Sequence, residues 1–230
     1  MAQPEHLKQA AASPVETDEP EHLEPGVALC LSGGGYRAMI FHVGAIWRLN
    51  ELGYLAKLDR LSSVSGGSIT AGVLGLNWHR LQFDANGVAT NLDEEFVKPL
   101  RKLASKTIDL GAVIRGILLP GTISDRIAGS YRKHVFGEAT LQDLPDRPRF
   151  VINSTNLQTG ALWRFSKPYM ADYTVGMVRN PQVELAVAVA ASSAFPPILS
   201  PVDLSVDPAS YDAAENGPFH MPPYTTDAVL

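Results

Sequence analysis

Short apolar runs alternate along this chain with longer stretches whose apolar positions recur every three or four residues. The first run lies in residues 26–31 and predicts a buried strand. In residues 38–52, Met39, Ile40, Val43, Ile46, Trp47 and Leu49 give a helical pattern, and Gly53 stands where a helix C-terminus favours glycine. The same order then repeats. Residues 59–64 predict a second strand around Leu61 and Val64, and residues 67–80 a second helix carrying Ile69, Ala71, Val73, Leu74 and Leu76. Strand, loop and helix twice in succession imply a parallel sheet with crossover helices. Both loops leave the carboxyl ends of their strands, the side on which such sheets bind ligands.

The pattern is less regular downstream. Residues 91–106 predict an amphipathic helix through Leu92, Phe96, Leu100 and Leu103, and residues 124–136 another through Ile127, Tyr131 and Val135. Between them, residues 107–122 carry Ile108, Leu110, Val113, Ile114, Ile117, Leu118 and Leu119, with Asp109 and Arg115 as the charges. Such a stretch reads as a core helix, or else as a cap over a pocket or a surface that dips into lipid. Phe150-Val151-Ile152 centres a third buried strand over residues 149–155, Gly160 marks a turn, and residues 162–165 return as the second arm of a hairpin. Residues 183–194 form a helix between Pro181 and Pro196, and residues 200–226 a long loop ending in a short strand at 224–226. The fold class is α/β, a central mostly parallel sheet flanked by helices.

Composition narrows this picture. A chain of 230 residues with 45% hydrophobic content suits one domain over residues 26–230, behind an acidic Glu- and Pro-rich tail at residues 1–25 that reads as disordered. A net charge of −5 without a basic run argues against a nucleic-acid partner. Cys30, the single cysteine, has no internal disulfide partner and is expected to be packed within its strand. The first residues lack the basic start and apolar core of a signal peptide, and no apolar run reaches the roughly 18 residues of a membrane span. The expected location is cytoplasmic or peripheral to a membrane. No zinc or calcium spacing occurs, and neither metal nor cofactor is expected.

The candidate chemistry sits in the two loops. In Leu61-Ser62-Ser63-Val64-Ser65-Gly66-Gly67-Ser68, the glycines allow a sharp turn at Ser65 between strand and helix. A serine at such an elbow projects its hydroxyl from the top of the sheet, toward the space faced by the Gly66 N–H and the positive end of the helix. The usual G-x-S-x-G pattern has Ser63 in place of its first glycine, and a plain Ser/Gly loop is the alternative. Ser32-Gly33-Gly34-Gly35-Tyr36-Arg37 follows the first strand, and its glycines can turn their N–H groups toward an anion. In an acyl hydrolase that anion is the tetrahedral oxyanion. Arg37 holds this loop or meets a phosphate. No Gly-Lys-Ser/Thr follows the glycines, so a P-loop is absent, and a dinucleotide fingerprint needs glycine where Ala38 stands. His42 reads as a packed or hydrogen-bonded histidine, Ser192 and Ser193 as packing residues, and Asp203, Asp207 and Asp212 as solvated carboxylates.

These residues, together with Ala191-Ser192-Ser193-Ala194-Phe195-Pro196-Pro197, resemble the patatin-like phospholipase family over residues 26–230. The resemblance implies a lipid acyl hydrolase with a serine–aspartate dyad, acting on a lipid or acyl-ester substrate with peripheral membrane contact. It assigns Ser65 as nucleophile, Gly33, Gly34 and Gly35 as the oxyanion loop beside Gly66, and Asp227 as base. The family carries glycine after the aspartate, whereas Ala228-Val229-Leu230 ends this sequence. A shortened domain with a loosely held base is therefore expected. Alternatives are a carboxylesterase on small esters and a catalytically weak or dead lipid-binding module.

Overall fold

The structure is a computed structural model that describes residues 25–105, 123–195, 200–207 and 210–211. Residues 1–24 of the acidic tail, the apolar stretch 107–122, and the strand expected at 224–226 with Asp227 lie outside the described residues.

Six strands form one mixed sheet in chain order: β1 (Val27–Leu31), β2 (Leu58–Ser63), β3 (Arg149–Thr155), β4 (Leu162–Phe165), β5 (Tyr169–Asp172) and β6 (Gly176–Arg179). The pairs β1–β2 and β2–β3 are parallel and the rest antiparallel, so β1, β2, β3 and β5 share one direction. The hairpin from β3 to β4 agrees with the sequence pattern. The strands β5 and β6 were not expected. Every residue of β5 is buried, so the alternation that marks a half-buried strand is missing.

The helices are α1 (Gly35–Glu51), α2 (Gly66–Asn77), α3 (Lys98–Ser105), α4 (Ile123–Tyr131) and α5 (Leu185–Ser193). Helix α2 is buried from Gly66 through Gly75 and packs against α1, α5 and the parallel strands. It is enclosed on every side, and its buried polar side chains, Ser68 and Thr70, are small hydroxyls that are hydrogen-bonded. Helix α1 instead buries one stripe, Met39, His42, Val43, Ile46 and Asn50. The register aligns Leu31 with Ser63, Ser63 with Ile152, Ile152 with Phe165 and Phe165 with Met170, a buried row beneath the helices.

Two expectations for β1 need correction. Only Leu31 is fully buried and Leu29 partly so, and Cys30 is exposed rather than packed. The pleat explains this: Leu29 and Leu31 share one face, Cys30 takes the other, and β1 is the edge of the sheet among the described residues.

The Asn50 side chain ties the loop before α3 to the back of α1. Its Nδ2 donates to the Ala89 carbonyl at 3.0 Å, and its Oδ1 accepts from the Ala89 N–H at 2.7 Å, both buried. Asn50→Ala strands both backbone groups and is expected to cost about 3 kcal/mol, a fall of roughly 10 °C in Tm. A loss below about 1 kcal/mol in urea denaturation would show that this loop is held by something else.

Candidate active site

The chain leaves β2 at Ser63 and enters α2 at Gly66, with Ser65 at the turn. Ser65 has φ 53° and ψ −118°, a backbone region that favours glycine, at a cost on the order of 1–3 kcal/mol. Hydrogen bonds on both sides impose it. The Val64 N–H donates to Leu31 O at 3.0 Å, the Gly67 N–H to Val64 O at 3.0 Å, and the Ser68 and Ile69 N–H groups to Ser65 O at 2.8 and 3.2 Å. Ser65 occupies the N-cap position of α2, where a serine hydroxyl ordinarily accepts a hydrogen bond from the first turn. Here it makes no capping bond.

The two glycine loops are stacked. A Cβ on Gly66 would lie 2.1 Å from Gly35 O, and one on Gly67 2.5 Å from Leu31 O, so no side chain fits at either position. A Cβ on Gly33 would lie 3.3 Å from Ser65 Cβ. Gly34 and Gly35 have φ of 134° and 62°. The fold thus brings Gly33, Gly34, Gly35, Ser65 and Gly66 together. Gly35 and Gly66 each open a helix, so their N–H groups have no intrahelical acceptor. Two helix N-termini therefore face one small region, which favours a negative charge there.

Arg37 is exposed in the first turn of α1. Burial, and secondarily the nearby Tyr131, pushes the Tyr36 hydroxyl above its usual range, keeping it a neutral phenol. His42 is buried and its Nε2 lies 3.0 Å from Ser32 O, a bond that fastens the start of the glycine loop to α1. Asp227 lies outside the described residues.

Beneath the elbow is a group of hydroxyls that the sequence reading missed. Ser192 is not merely a packing residue: its Oγ accepts from the Ser65 N–H at 2.9 Å and donates to Asn153 O at 2.6 Å. Ser68 Oγ lies 2.9 Å from Ser192 Oγ and 3.1 Å from Ser63 Oγ, and Ser63 donates to Val151 O at 3.1 Å. Asn153 Nδ2 donates to Ser62 Oγ and Ser63 O at 2.8 and 3.0 Å. The available signal was Ser192 in the block before Phe195-Pro196-Pro197, but nothing local tells which way its hydroxyl points.

A cavity of about 560 Å³ opens beside the elbow, between β3, β4 and α5. Val64, Trp163, Phe165, Val187, Ala191 and Phe195 make its wall largely apolar, and Ser192 and Asn153 connect it to the hydroxyl group below Ser65. Its rim includes residues 156–158, held by Asp172. This buried carboxylate, also missed in the sequence, accepts from Asn156 Nδ2 (3.1 Å), Thr159 Oγ1 (2.7 Å), Thr174 N (2.7 Å) and Thr174 Oγ1 (2.6 Å). At the mouth, Leu157 and Phe195 are 58% and 68% exposed. Among the described residues, no helix is long and apolar enough to cross a membrane.

Residues 29–221 match the family described as patatin-like phospholipase. No curated protein matches the chain. Human GIVD cytosolic phospholipase A2 in complex with methyl gamma-linolenyl fluorophosphonate is similar in structure, with TM-score 0.51 and 19% identity over 73% of this chain and 29% of that one. A second structure of it, with that inhibitor and terbium chloride, gives TM-score 0.51 and 20% identity over 80% and 31%. At this identity the likeness is one of fold, and the chain spans less than a third of those neighbours' length.

Proposed function

The chain belongs to the patatin-like phospholipase family, and from that premise we propose that it is a lipid acyl hydrolase with Ser65 as its nucleophile. The observation that carries this reading is the strained backbone of Ser65, with an uncapped hydroxyl, at the meeting point of two glycine-lined helix N-termini. Ser65 Oγ attacks the ester carbonyl while Asp227 takes its proton. The tetrahedral oxyanion accepts hydrogen bonds from the Gly34, Gly35 and Gly66 N–H groups, each such donor being worth about 3 kcal/mol. Collapse expels the alcohol, protonated by Asp227, and leaves an acyl group on Ser65. Water, deprotonated by Asp227, then releases the fatty acid and restores the serine.

The cavity beside Val64 takes the acyl chain, and its volume falls within the usual span of roughly 300–1,000 Å³ for small-molecule sites. Exposed Leu157 and Phe195 meet the surface of the lipid aggregate, and Arg37 meets the headgroup phosphate or steadies the glycine loop.

Fatty-acid release from phosphatidylcholine vesicles, beside hydrolysis of p-nitrophenyl esters of graded chain length, tests the assignment. The wild-type chain is expected to prefer long acyl groups. Ala191→Phe, which fills the cavity, should lower kcat/KM on long chains roughly tenfold and leave the acetate ester within about twofold. No release from either substrate would reduce the chain to a lipid-binding module. Equal losses on long and short esters would separate the cavity from the acyl chain.

A further inference from the structure

Ser65 departs from its surroundings in one respect. Its amide follows the end of β2 and precedes the first turn of α2, so neither element supplies an acceptor for it. Its acceptor is the Ser192 hydroxyl at 2.9 Å, from the last turn of α5. That hydroxyl is itself oriented, because its proton goes to Asn153 O at 2.6 Å, which leaves the oxygen lone pairs for Ser65. Ser68, three residues beyond the elbow, meets the same oxygen at 2.9 Å. The Asn153 side chain returns to Ser62 Oγ and Ser63 O, closing the connection on the strand that leads into the elbow. Ser192 is 9% exposed, which shields these bonds from most of the solvent.

We propose that Ser192 is the positioning residue of the nucleophile: its hydroxyl, aimed by the Asn153 carbonyl, grips the Ser65 N–H and keeps the elbow in the strained conformation that presents the Ser65 hydroxyl. This inference rests on Ser65 being the nucleophile. Without the grip, Ser65 can relax toward ordinary backbone angles and carry its Oγ away from the amides of Gly34, Gly35 and Gly66. A displacement of about 1 Å in a reacting group costs on the order of a hundredfold in rate. Ser192 also borders the cavity, but its effect on the reacting atoms is transmitted through the Ser65 backbone.

The test compares wild type, Ser192→Ala, Ser192→Cys and Ser192→Thr in the full chain. The readout is the second-order rate constant for fluorophosphonate labelling of Ser65, divided by the folded fraction, together with kcat and KM on a soluble ester. Alanine removes the acceptor and cysteine nearly preserves shape with a weak one. Both are expected to lower the labelling constant and kcat by about ten- to a hundredfold with KM within about twofold. Threonine, which keeps the hydroxyl, should stay within about fivefold of wild type. A merely structural role would lower the folded fraction and leave the rate per folded molecule unchanged, and that result for Ser192→Ala overturns the proposal. Should the variants fail to fold, amide exchange in the wild type decides: a Ser65 amide exchanging as fast as an open loop also overturns it, and a protected one supports it. A wild type that folds but is not labelled at Ser65 instead removes the nucleophile assignment, and this inference with it.

Discussion

Ser65→Ala is expected to lower ester hydrolysis by about a thousandfold or more, the loss typical of a removed nucleophile, and to abolish fluorophosphonate labelling. Ser65→Gly should be as inactive, yet more stable than wild type. The reason is the backbone at this position, with φ 53° and ψ −118°. Alanine keeps a Cβ there and keeps the strain, whereas glycine relieves it. After subtracting the extra freedom glycine has in the unfolded chain, a gain of about 1 kcal/mol remains, roughly 2–4 °C in Tm. Activity assays and thermal melts on the two variants check both halves. A Ser65→Ala protein that still hydrolyses esters at a tenth of the wild-type rate ends the nucleophile assignment. A Ser65→Gly protein less stable than Ser65→Ala would mean that the elbow stores no strain.

The other large effect is expected at Gly66. An added methyl would meet the Gly35 carbonyl at 2.1 Å, and a backbone atom at the start of α1 has little room to yield. Gly66→Ala must therefore part the two loops, at about 3 kcal/mol or more, with hydrolysis falling at least a hundredfold as the amides lose their common focus. Gly44→Ala is the matched control. Gly44 lies within α1, and a methyl there meets nothing within 4 Å, so it should gain about 0.5–1 kcal/mol from helix propensity alone. Urea denaturation of the pair reads the contrast directly. If Gly66→Ala comes within about 1 kcal/mol of wild type, the stacking of the loops is not what holds the site.

The elbow was legible in the sequence because its rules are local. A strand, a serine between small residues and a following helix are all read within a dozen positions, and the glycines mark backbone that turns, at 34–35, or is approached too closely for a side chain, at 66–67. What escaped is what depends on distant partners. Ser192 lies in an apolar helix where period alone cannot separate a packing hydroxyl from one that bonds to Ser65. Asp172 ends a strand with no alternation to announce it, and its four donors come from two separate turns. Cys30 was misjudged because an apolar run does not reveal whether its strand lies inside the sheet or at its edge.

The bond between Ser65 and Ser192 spans 127 positions of sequence. At about 5–20 residues per second, a ribosome needs roughly 6–25 s to go from one to the other. The turns from β3 to β6 join neighbours and can close early, whereas the parallel pairing of β2 with β3 and the docking of α5 close long loops and must come late. Until α5 docks, the segment around Ser65 has every residue of the elbow but lacks the Ser192 bond to its amide. On the proposal that Ser192 positions the nucleophile, a growing chain carries an ordinary, unreactive serine in a cell full of ester bonds, and arms it only when the last helix of the described fold arrives.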